Sequence, residues 1–339
     1  MEPIIRPATT EDQNALSGLL NFHGAIHRHL DWKPTMDWLG KQPFWLMESD
    51  HHLLGALAIP PDPPHVAWVR LFVTRLGVAA SDVWDVLFPT AYQHLSPNPA
   101  GIIVALVSLE SWLSQLVTSR GFKLHQEIVL LEWTPERIDA VPLPAGLTIR
   151  PMEIHDLAQV TLVDQSAFEP VWQNSLEDVT QAYGQSAYAT VALFEGQVVG
   201  FQISTGRDWS AHLGRLAVLP ACQSRGVGMA LVRNLQQHFW DCGQWHLTVN
   251  TQSNNNASLA LWQTGNSSFN MPIVLDNSGQ LAVDGIGGGS FGVNTISGGV
   301  SGTGNFTLFQ NGSEANSIVF TGAMTQTGGL NLNLSLIHI

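Results

Sequence analysis

The chain has 339 residues, with 27 acidic against 14 basic side chains and a formal net charge of −13. This balance argues against nucleic acid or an anionic membrane as a partner and favours cationic substrates. The two cysteines, Cys222 and Cys242, are too few for a disulfide framework or a cysteine-rich metal site. We therefore expect a protein of a reducing compartment that uses no metal.

The N-terminus lacks the basic start and the apolar segment of a signal peptide. No uncharged apolar run approaches the roughly 20 residues that span a bilayer. The expectation is a cytoplasmic chain that is long enough for two domains of about 150 residues each.

One sequence pattern occurs twice. A strand that includes Arg6 is followed by a capped helix, and a strand that includes Arg150 is followed by another helix. Residues 71–73 match residues 216–218, with a separation of 145 residues. A duplicated domain explains these pairs. We assign residues 1–134 and 147–263 to the two copies, 135–146 to a proline-containing linker and 264–339 to a tail.

Runs of apolar and β-branched residues predict the strands of both copies. In the first copy the predicted strands cover residues 4–7, 44–48, 53–59, 66–73, 102–107 and 127–133, and a helix covers 109–119. In the second copy the predicted strands cover residues 187–194, 197–204, 211–218 and 245–249. A further helix in the second copy begins near Asn256, its expected cap.

A glycine-containing turn joins an apolar strand to an amphipathic helix in the second copy. The pattern Gln223-x-x-Gly226-x-Gly228 opens that helix. The first turn of a helix has backbone N–H groups without intrahelical partners, beside the positive end of the helix dipole. The two glycines let a diphosphate approach the backbone, and Arg225 adds a cation. The pattern predicts an anion site, which we call the phosphate cradle (residues 223–229).

This strand, turn and helix together resemble the acyl-CoA-binding motif of the GCN5-related N-acetyltransferase (GNAT) superfamily. The resemblance implies an α/β (α+β) fold of tandem domains, each a mixed central sheet flanked by helices, in an arrangement similar to mycothiol synthase. Members of the superfamily splay two central strands and bind the pantetheine arm in the gap. Acetyl-CoA is the implied co-substrate. Its expected binding residues are Leu216, Ala217, Val218, Gln223, Ser224, Arg225, Gly226, Val227, Gly228, Met229 and Asn256.

The first copy lacks the cradle. The positions that correspond to the key residues of the cradle hold Val78, Ser81 and Val83, and the branched side chains would crowd a diphosphate. Residues 116–122 nevertheless resemble the Leu-Tyr-x-x-x-Gly-Phe segment of the superfamily. We expect a degenerate GNAT-like domain that keeps the fold without the cofactor.

Two other interpretations of the glycine-containing turn stay open. It can be a strand-to-helix turn without a ligand. It can also belong to a dinucleotide-binding Gly-x-Gly-x-x-Gly motif, which fits worse because Leu231 stands at the third glycine position and no acidic ribose ligand follows a second strand.

Acyl transfer to an amine needs a base that removes a proton from the attacking ammonium. His212 lies on the strand before the cradle, where many members of the family carry Glu, and on the same alternation face as Gly214 and Leu216. Its ordinary pKa suits a base. Asp208, in the preceding loop, and Glu169, in the acceptor-side loop, are the other candidates. Each of the three also fits an ordinary structural or solvated role.

Two further parts of the chemistry follow from the resemblance. The backbone N–H of Ala217 or Val218 would stabilise the oxyanion of the tetrahedral intermediate. Many members protonate the leaving thiolate with a Tyr, where this chain has Trp262, a side chain with no titratable hydroxyl. An unassisted thiolate can still leave, since a thiol pKa is about 8.5. Trp172 and Trp209 are candidates for lining the acceptor pocket, or for simple packing.

Three functional hypotheses follow. The first is an N-acetyltransferase that moves an acetyl group from acetyl-CoA to a primary amine of a small molecule or peptide by direct attack. The alternative is a non-catalytic acyl-CoA sensor or scaffold, motivated by Trp262 and by the lost first cradle. The third, a surface-associated β-protein, is defined by the tail alone. The sequence indicates no particular oligomeric state.

The tail differs in composition from the rest of the chain. It is rich in Gly, Ser, Asn and Thr, and no Lys or Arg follows Arg233. Residues 305–309 and 317–320 predict short strands that loosely resemble bacterial surface β-solenoids, and a disordered polar tail is the alternative. Residues 334–339 are similar to a translated transposase adapter used in sequencing libraries. A chimeric tail that replaces two native strands after residue 263 is therefore a further hypothesis.

Overall fold

The computed structural model describes residues 3–95, 101–133, 143–253 and 255, and then eight strand segments between residues 267 and 333. In this described part of the chain, no helix is both long enough and apolar enough to cross a membrane.

The chain forms two compact units, and each of them contains two segments that are not consecutive in sequence. The first unit contains Met1–Leu124 and Asp164–Gln185, and the second contains His125–Val163 and Ser186–Ile339. Both contain a sheet with flanking helices, which confirms the predicted α/β (α+β) class. The sequence repeat and the compact units divide the chain at different residues. The predicted copies, residues 1–134 and 147–263, therefore stay a prediction.

The first unit is built on a five-stranded antiparallel sheet, in the order β1-β3-β4-β6-β2, and a two-stranded parallel pair, β5 with β7. The strands are β1 (Ile4–Pro7), β2 (His23–Arg28), β3 (Phe44–Ser49), β4 (His52–Ala58), β5 (Val66–Trp68), β6 (Leu71–Arg75) and β7 (Ile103–Ala105). The helices are α1 (Gln13–Asn21), α2 (Ala80–Gln93) and α3 (Ser111–Thr118). Later in the chain, α4 (Leu157–Ala167) begins in the second unit, and α5 (Leu176–Gly184) belongs to the first.

Apolar stripes on two helices cover the sheet of the first unit. Leu16 and Leu19 of α1 pack into one buried cluster of sheet residues, and Trp84 and Leu87 of α2 pack into another. The spacing of three in each pair places both side chains on one helix face. The sheet is therefore covered by amphipathic helices, as the sequence predicts.

The strand over residues 66–73 was predicted as one element, and the structure divides it into β5 and β6. The backbone N–H of Val69 donates to Ala105 at 2.9 Å, whereas the N–H of the next residue, Arg70, donates to Ala58 at 2.9 Å. Consecutive N–H groups of a strand point to opposite edges, so these two donors continue the alternation of one strand. What changes is the pairing: residues 66–68 pair with β7, and residues 71–75 pair with β4 and β2. The predicted strand is therefore present as two elements with residues 69 and 70 between them.

The second unit is built on a longer sheet. The main strands are β8 (Ile128–Trp133), β9 (Leu147–Pro151), β10 (Tyr188–Phe194), β11 (Gln197–Arg207), β12 (Ser210–Val218) and β13 (His246–Gln252), and the helix is α6 (Val227–Asp241). Strands β9 to β12 form antiparallel neighbours in the order β9-β10-β11-β12, and β13 runs parallel to β12. β8 pairs antiparallel with β13 on one edge and with a strand of the tail (Ser267–Phe269) on the other, so a strand from the first sequence copy is a central member of this sheet.

Both copies share one device at the end of their first strand. Arg6 forms an ion pair with Asp12 at 2.6 Å, and Arg150 forms one with Asp156 at 2.6 Å. Each aspartate also accepts a hydrogen bond from a backbone N–H at the start of the following helical segment. The guanidinium of Arg6 lowers the pKa of Asp12 to about 2, and Arg150 lowers the pKa of Asp156 in the same direction.

The tail contains short parallel strands in three stacks. The first is β14 (Ser267–Phe269), β17 (Val293–Ile296) and β20 (Ser317–Phe320), the second is β15 (Ile273–Leu275) and β18 (Val300–Gly302), and the third is β16 (Gly279–Val283), β19 (Phe306–Gln310) and β21 (Leu330–Asn333). Paired residues are 27 apart in the first step and 24 apart in the second. This pairing agrees with the β alternative for the tail.

Candidate functional site

The phosphate cradle lies in the second unit, between β12 and α6. Gly226 is the N-cap of α6 and has a φ of +81°, and Ser224 has a φ of +58°. Glycine adopts the left-handed region without the steric cost of a Cβ. Any Cβ added at Gly226 would also lie 3.2 Å from Pro144. The turn therefore needs the glycine for two independent reasons.

The backbone N–H groups of residues 224–229 have no hydrogen-bond acceptor among the described residues. The groups on either side are used, because the N–H of Gln223 donates to Pro220 and that of Ala230 donates to Gly226. The unpaired donors lie at the N-terminus of a helix of 15 residues, where the dipole is positive. This is the arrangement in which helix termini bind anions.

Two side chains of the cradle have specific contacts. Gln223 donates from Nε2 to the carbonyl of Val218 at 3.0 Å, which ties the turn back to the end of β12. Arg225 is exposed, and its guanidinium carbon lies 5.8 Å from the centre of the Phe194 ring. An exposed cation on an aromatic support is thus held beside the unpaired donors.

The two central strands of this unit separate halfway along their length. β12 pairs with β13 only from Ser210 to Leu213, opposite His246 to Val249. Beyond Leu213, no strand of the described residues pairs with that edge of β12. The resemblance to splayed central strands is therefore present in the backbone, and we call the point after the Leu213 pair the apex of the splay.

The backbone groups along the unpaired edge can be identified from the ladder on the other side. The N–H of Leu219 donates to Val199 of β11 at 2.8 Å. Antiparallel ladders alternate, so the N–H of Ala217 points to β11, and those of Leu216 and Val218 point to the unpaired edge. Of the two amides predicted for the oxyanion, that of Val218 is the one that points to the unpaired edge.

His212 lies at the apex, one residue before the last β12–β13 pair. Its Nδ1 is 2.8 Å from Oγ1 of Thr248, the residue opposite it on β13. Burial lowers the pKa of the imidazole, because the protein interior disfavours its charged form. The neutral form, which can accept a proton, is therefore favoured at neutral pH.

One detail of the prediction for His212 was wrong. The register between β11 and β12 shifts at Gly214, which is an extra residue on β12. Leu213 and Leu216, three residues apart, consequently both pack into apolar clusters that include α6. His212 precedes Leu213 and so points to the other face, away from that of Leu216.

The structure places the other candidate bases elsewhere. Asp208 is exposed in the tight turn between β11 and β12 with a φ of +53°, about 25–30 Å along the strand from the cradle. Trp209, next to it, is 66% exposed. Glu169 belongs to the first unit, as does Trp172, which packs against Trp68 with ring centres 5.3 Å apart. Asn256 and Trp262 lie outside the described residues.

The corresponding region of the first unit is closed. β2 pairs with β6 on the side opposite β4, with Ile26 facing Val73 and Arg28 facing Leu71. These β6 residues correspond in the repeat to residues 216–218 of β12. Val83, at the position of Gly228, is fully buried and contacts Gly55. The sequence analysis missed β2, which has no clear apolar alternation.

A sheet with splayed parallel strands, followed by a glycine turn at a helix N-terminus, is the arrangement that the resemblance to the acyl-CoA-binding motif of the GNAT superfamily implies. Residues 157–265 match the model of the acetyltransferase (GNAT) family. The matched residues, about a third of the chain, are thus similar to this family and include the cradle, in agreement with the predicted resemblance. This supports an acyl-CoA-dependent N-acyltransferase in general terms.

Solved structures with a similar fold include a tandem protein. A GCN5-related N-acetyltransferase from Kribbella flavida has a TM-score of 0.56 at 11% identity, over 76% of this chain and 66% of that one. A tandem GNAT protein from the clavulanic acid biosynthesis pathway has a TM-score of 0.50 at 14% identity, over 76% and 92%. These identities show the fold alone. A search of the curated proteins found no match.

Proposed function

We propose that the second unit is an N-acetyltransferase that moves an acetyl group from acetyl-CoA to a primary amine of a small molecule or peptide. The observation that carries the proposal is the run of N–H groups at residues 224–229 without an acceptor among the described residues. These donors and the dipole of α6 suit the diphosphate of coenzyme A. Arg225 adds a charge-assisted contact.

The unpaired edge of β12 suits the pantetheine arm. Amide groups of an extended ligand can pair with a strand edge as an added strand does. Leu216 and Val218 present backbone groups on that edge, and the carbonyl of Val218 already accepts from Gln223. A ligand anchored at the cradle and extended back along β12 brings its thioester to the apex, beside His212.

The proposed reaction is a direct transfer. The ammonium of the acceptor gives a proton to Nε2 of His212, and the free amine attacks the thioester carbon to form a C–N bond. The oxyanion of the tetrahedral intermediate needs an N–H donor near the apex, and Val218, roughly 15–20 Å along the strand from His212, is too far away to supply it. The C–S bond then breaks, the new amide nitrogen gives up its second proton to solvent, and the CoA thiolate leaves and takes a proton from solvent. The chain's net charge of −13 favours a cationic acceptor.

Calorimetry with acetyl-CoA, combined with a thiol-release assay on a panel of primary amines, tests the proposal. We expect one acetyl-CoA per chain, because the first unit has neither the cradle nor the unpaired edge, and amine-dependent release of CoA. Binding without thiol release for any amine would favour the sensor hypothesis. Absence of binding would contradict the proposal outright.

A further inference from the structure

The apex contains a side-chain pair that the reaction scheme does not yet use. His212 on β12 and Thr248 on β13 are direct partners in the parallel register, and Nδ1 of His212 lies 2.8 Å from Oγ1 of Thr248. Thr248 is half-buried. Among the described residues, Nε2 of His212 has no hydrogen-bond partner.

The direction of the hydrogen bond between His212 and Thr248 follows from which of the neighbouring groups can donate and which can only accept. The hydroxyl of Thr248 also lies 3.5 Å from the carbonyl oxygen of Ala211, a weak contact that is longer than the usual O–H···O hydrogen bond of about 2.5–3.0 Å. A carbonyl can only accept, whereas a hydroxyl can donate one proton and accept another. Both contacts are satisfied together when Nδ1–H donates to Thr248 and Thr248 donates to Ala211.

We propose that Thr248 is a positioning residue that holds His212 in the Nδ1–H tautomer and so leaves Nε2 as the nitrogen that accepts a proton. The hydrogen bond made by one ring nitrogen fixes the protonation of the other. With the opposite tautomer, Nε2 would carry a hydrogen and be unable to accept the proton of the ammonium. The inference rests on the proposed function for the role of His212, but the tautomer itself does not.

The repeat supplies an independent observation. In the first unit, β5 and β7 form the parallel pair that corresponds to β12 and β13, and Ala67 faces Val104 there. Ala67 is the residue 145 positions before His212. The polar pair is therefore present in the copy with the cradle, and the copy without the cradle has two apolar residues in its place. If the pair served folding alone, we would not expect it to occur only in the copy that has the cradle.

Nitrogen NMR of the full chain labelled at histidine tests the tautomer directly. The His212 signals among the 13 histidines are assigned by their loss in His212→Gln. We expect Nδ1 protonated and Nε2 unprotonated above the histidine pKa. Thr248→Val, which keeps the shape of the side chain and removes the hydroxyl, should shift the population towards the other tautomer. Thr248→Ser should restore the original spectrum.

The kinetic counterpart separates positioning from folding. Thr248→Val should lower kcat by about two- to tenfold, the value of one neutral hydrogen bond, and leave the Kd for acetyl-CoA unchanged. Thr248→Ser should recover kcat. A wild-type spectrum with Nε2 protonated, or a spectrum unchanged in Thr248→Val, would overturn the inference even in an active enzyme. An inactive protein with the expected spectrum would instead contradict the proposed function.

Discussion

The strands β6 and β12 hold the same place in the two copies of the repeat, but their neighbours differ. β6 lies between β4 and β2, so both of its edges are paired. β12 is paired with β11 along its length and with β13 only up to Leu213. In the first copy, β2 thus pairs with the edge of β6 that corresponds to the unpaired edge of β12. This is a second obstacle to a ligand, in addition to the crowding by valines that the sequence predicts.

The difference between the copies is consistent across three levels. The open edge, the polar pair His212 and Thr248, and the glycine turn of the cradle all belong to the second copy. The first copy has a paired edge, an apolar pair and a buried valine at the corresponding places. Features that occur together and are absent together are easier to explain by one shared ligand than by three separate accidents of packing.

The largest expected effect comes from a substitution that removes the proposed base at the apex. His212→Gln should lower kcat by about 10²–10⁴-fold, the usual contribution of a general base, with little change in the Kd for acetyl-CoA. Steady-state kinetics and calorimetry measure the two effects separately. His155→Gln, an exposed histidine of the same unit, is the control and should keep full activity. A fully active His212→Gln would remove this residue from the mechanism.

The next largest effect comes from a substitution that makes the cradle of the second copy unsuitable for a diphosphate, as the corresponding turn of the first copy is. Arg225→Glu should weaken acetyl-CoA binding by about ten- to a hundredfold, because a charge-assisted contact is replaced by repulsion of the diphosphate. Calorimetry measures the Kd. Arg207→Glu makes the same charge change at the exposed end of β11, opposite Ser210 and far from the cradle, and should bind acetyl-CoA normally. Equal affinities in the two variants would contradict the cradle assignment.

A smaller and graded effect comes from pH. Burial lowers the pKa of His212 below 6.5, so kcat should be constant above that value and fall as the pH falls through the lowered pKa. The folded state also resists this protonation, so the free energy of unfolding decreases as the pH falls from 6.5 to the lowered pKa and no further below it. A pH–rate profile with a saturating amine measures the limb, and His212→Gln should lack it. An acidic limb that persists in that variant would assign the titration to another group.

The smallest expected effect concerns what the two copies share. Asp12→Asn and Asp156→Asn should each lower the free energy of unfolding by about 1–2 kcal/mol at neutral pH, since each removes a charge-assisted pair that is partly exposed to solvent. Both pKa values are lowered in the folded state, so the contribution is present above 3.8 and is lost as the pH falls below it, towards about 2 for Asp12. Thermal unfolding at pH 7 and at low pH measures this. Wild-type stability in either variant at pH 7 would show that its arginine pair contributes nothing.

Local sequence was sufficient for the features that depend on neighbours in the chain. The turn at Gly226, the helix that follows it and the repeat itself all follow from spacing and residue type. Gly214 also carried a usable signal, because a glycine inside a strand often marks a bulge. The sequence therefore contained a signal from which the opposite orientations of His212 and Leu216 could have been predicted.

Other features depend on pairing between distant segments and had no local signal. Residues 23–28 contain Gly, two His and Arg, and they form a strand only because β6 offers an unpaired edge. Thr248 becomes notable only when β13 lies beside His212. The role of β8 in the second unit requires contacts across more than 110 residues. Propensity and periodicity do not contain such information.

The position of β8 also bears on how the protein is made. A ribosome releases residues 128–133 well before residues 247–252, their partners in the sheet. At about 5–20 residues per second, synthesis of the intervening chain takes on the order of ten seconds. During that interval β8 has two free edges, which are attractive to other chains. The nascent protein thus passes through a period in which β8 can aggregate; β13 covers one edge when it has been synthesised, and β14 covers the other.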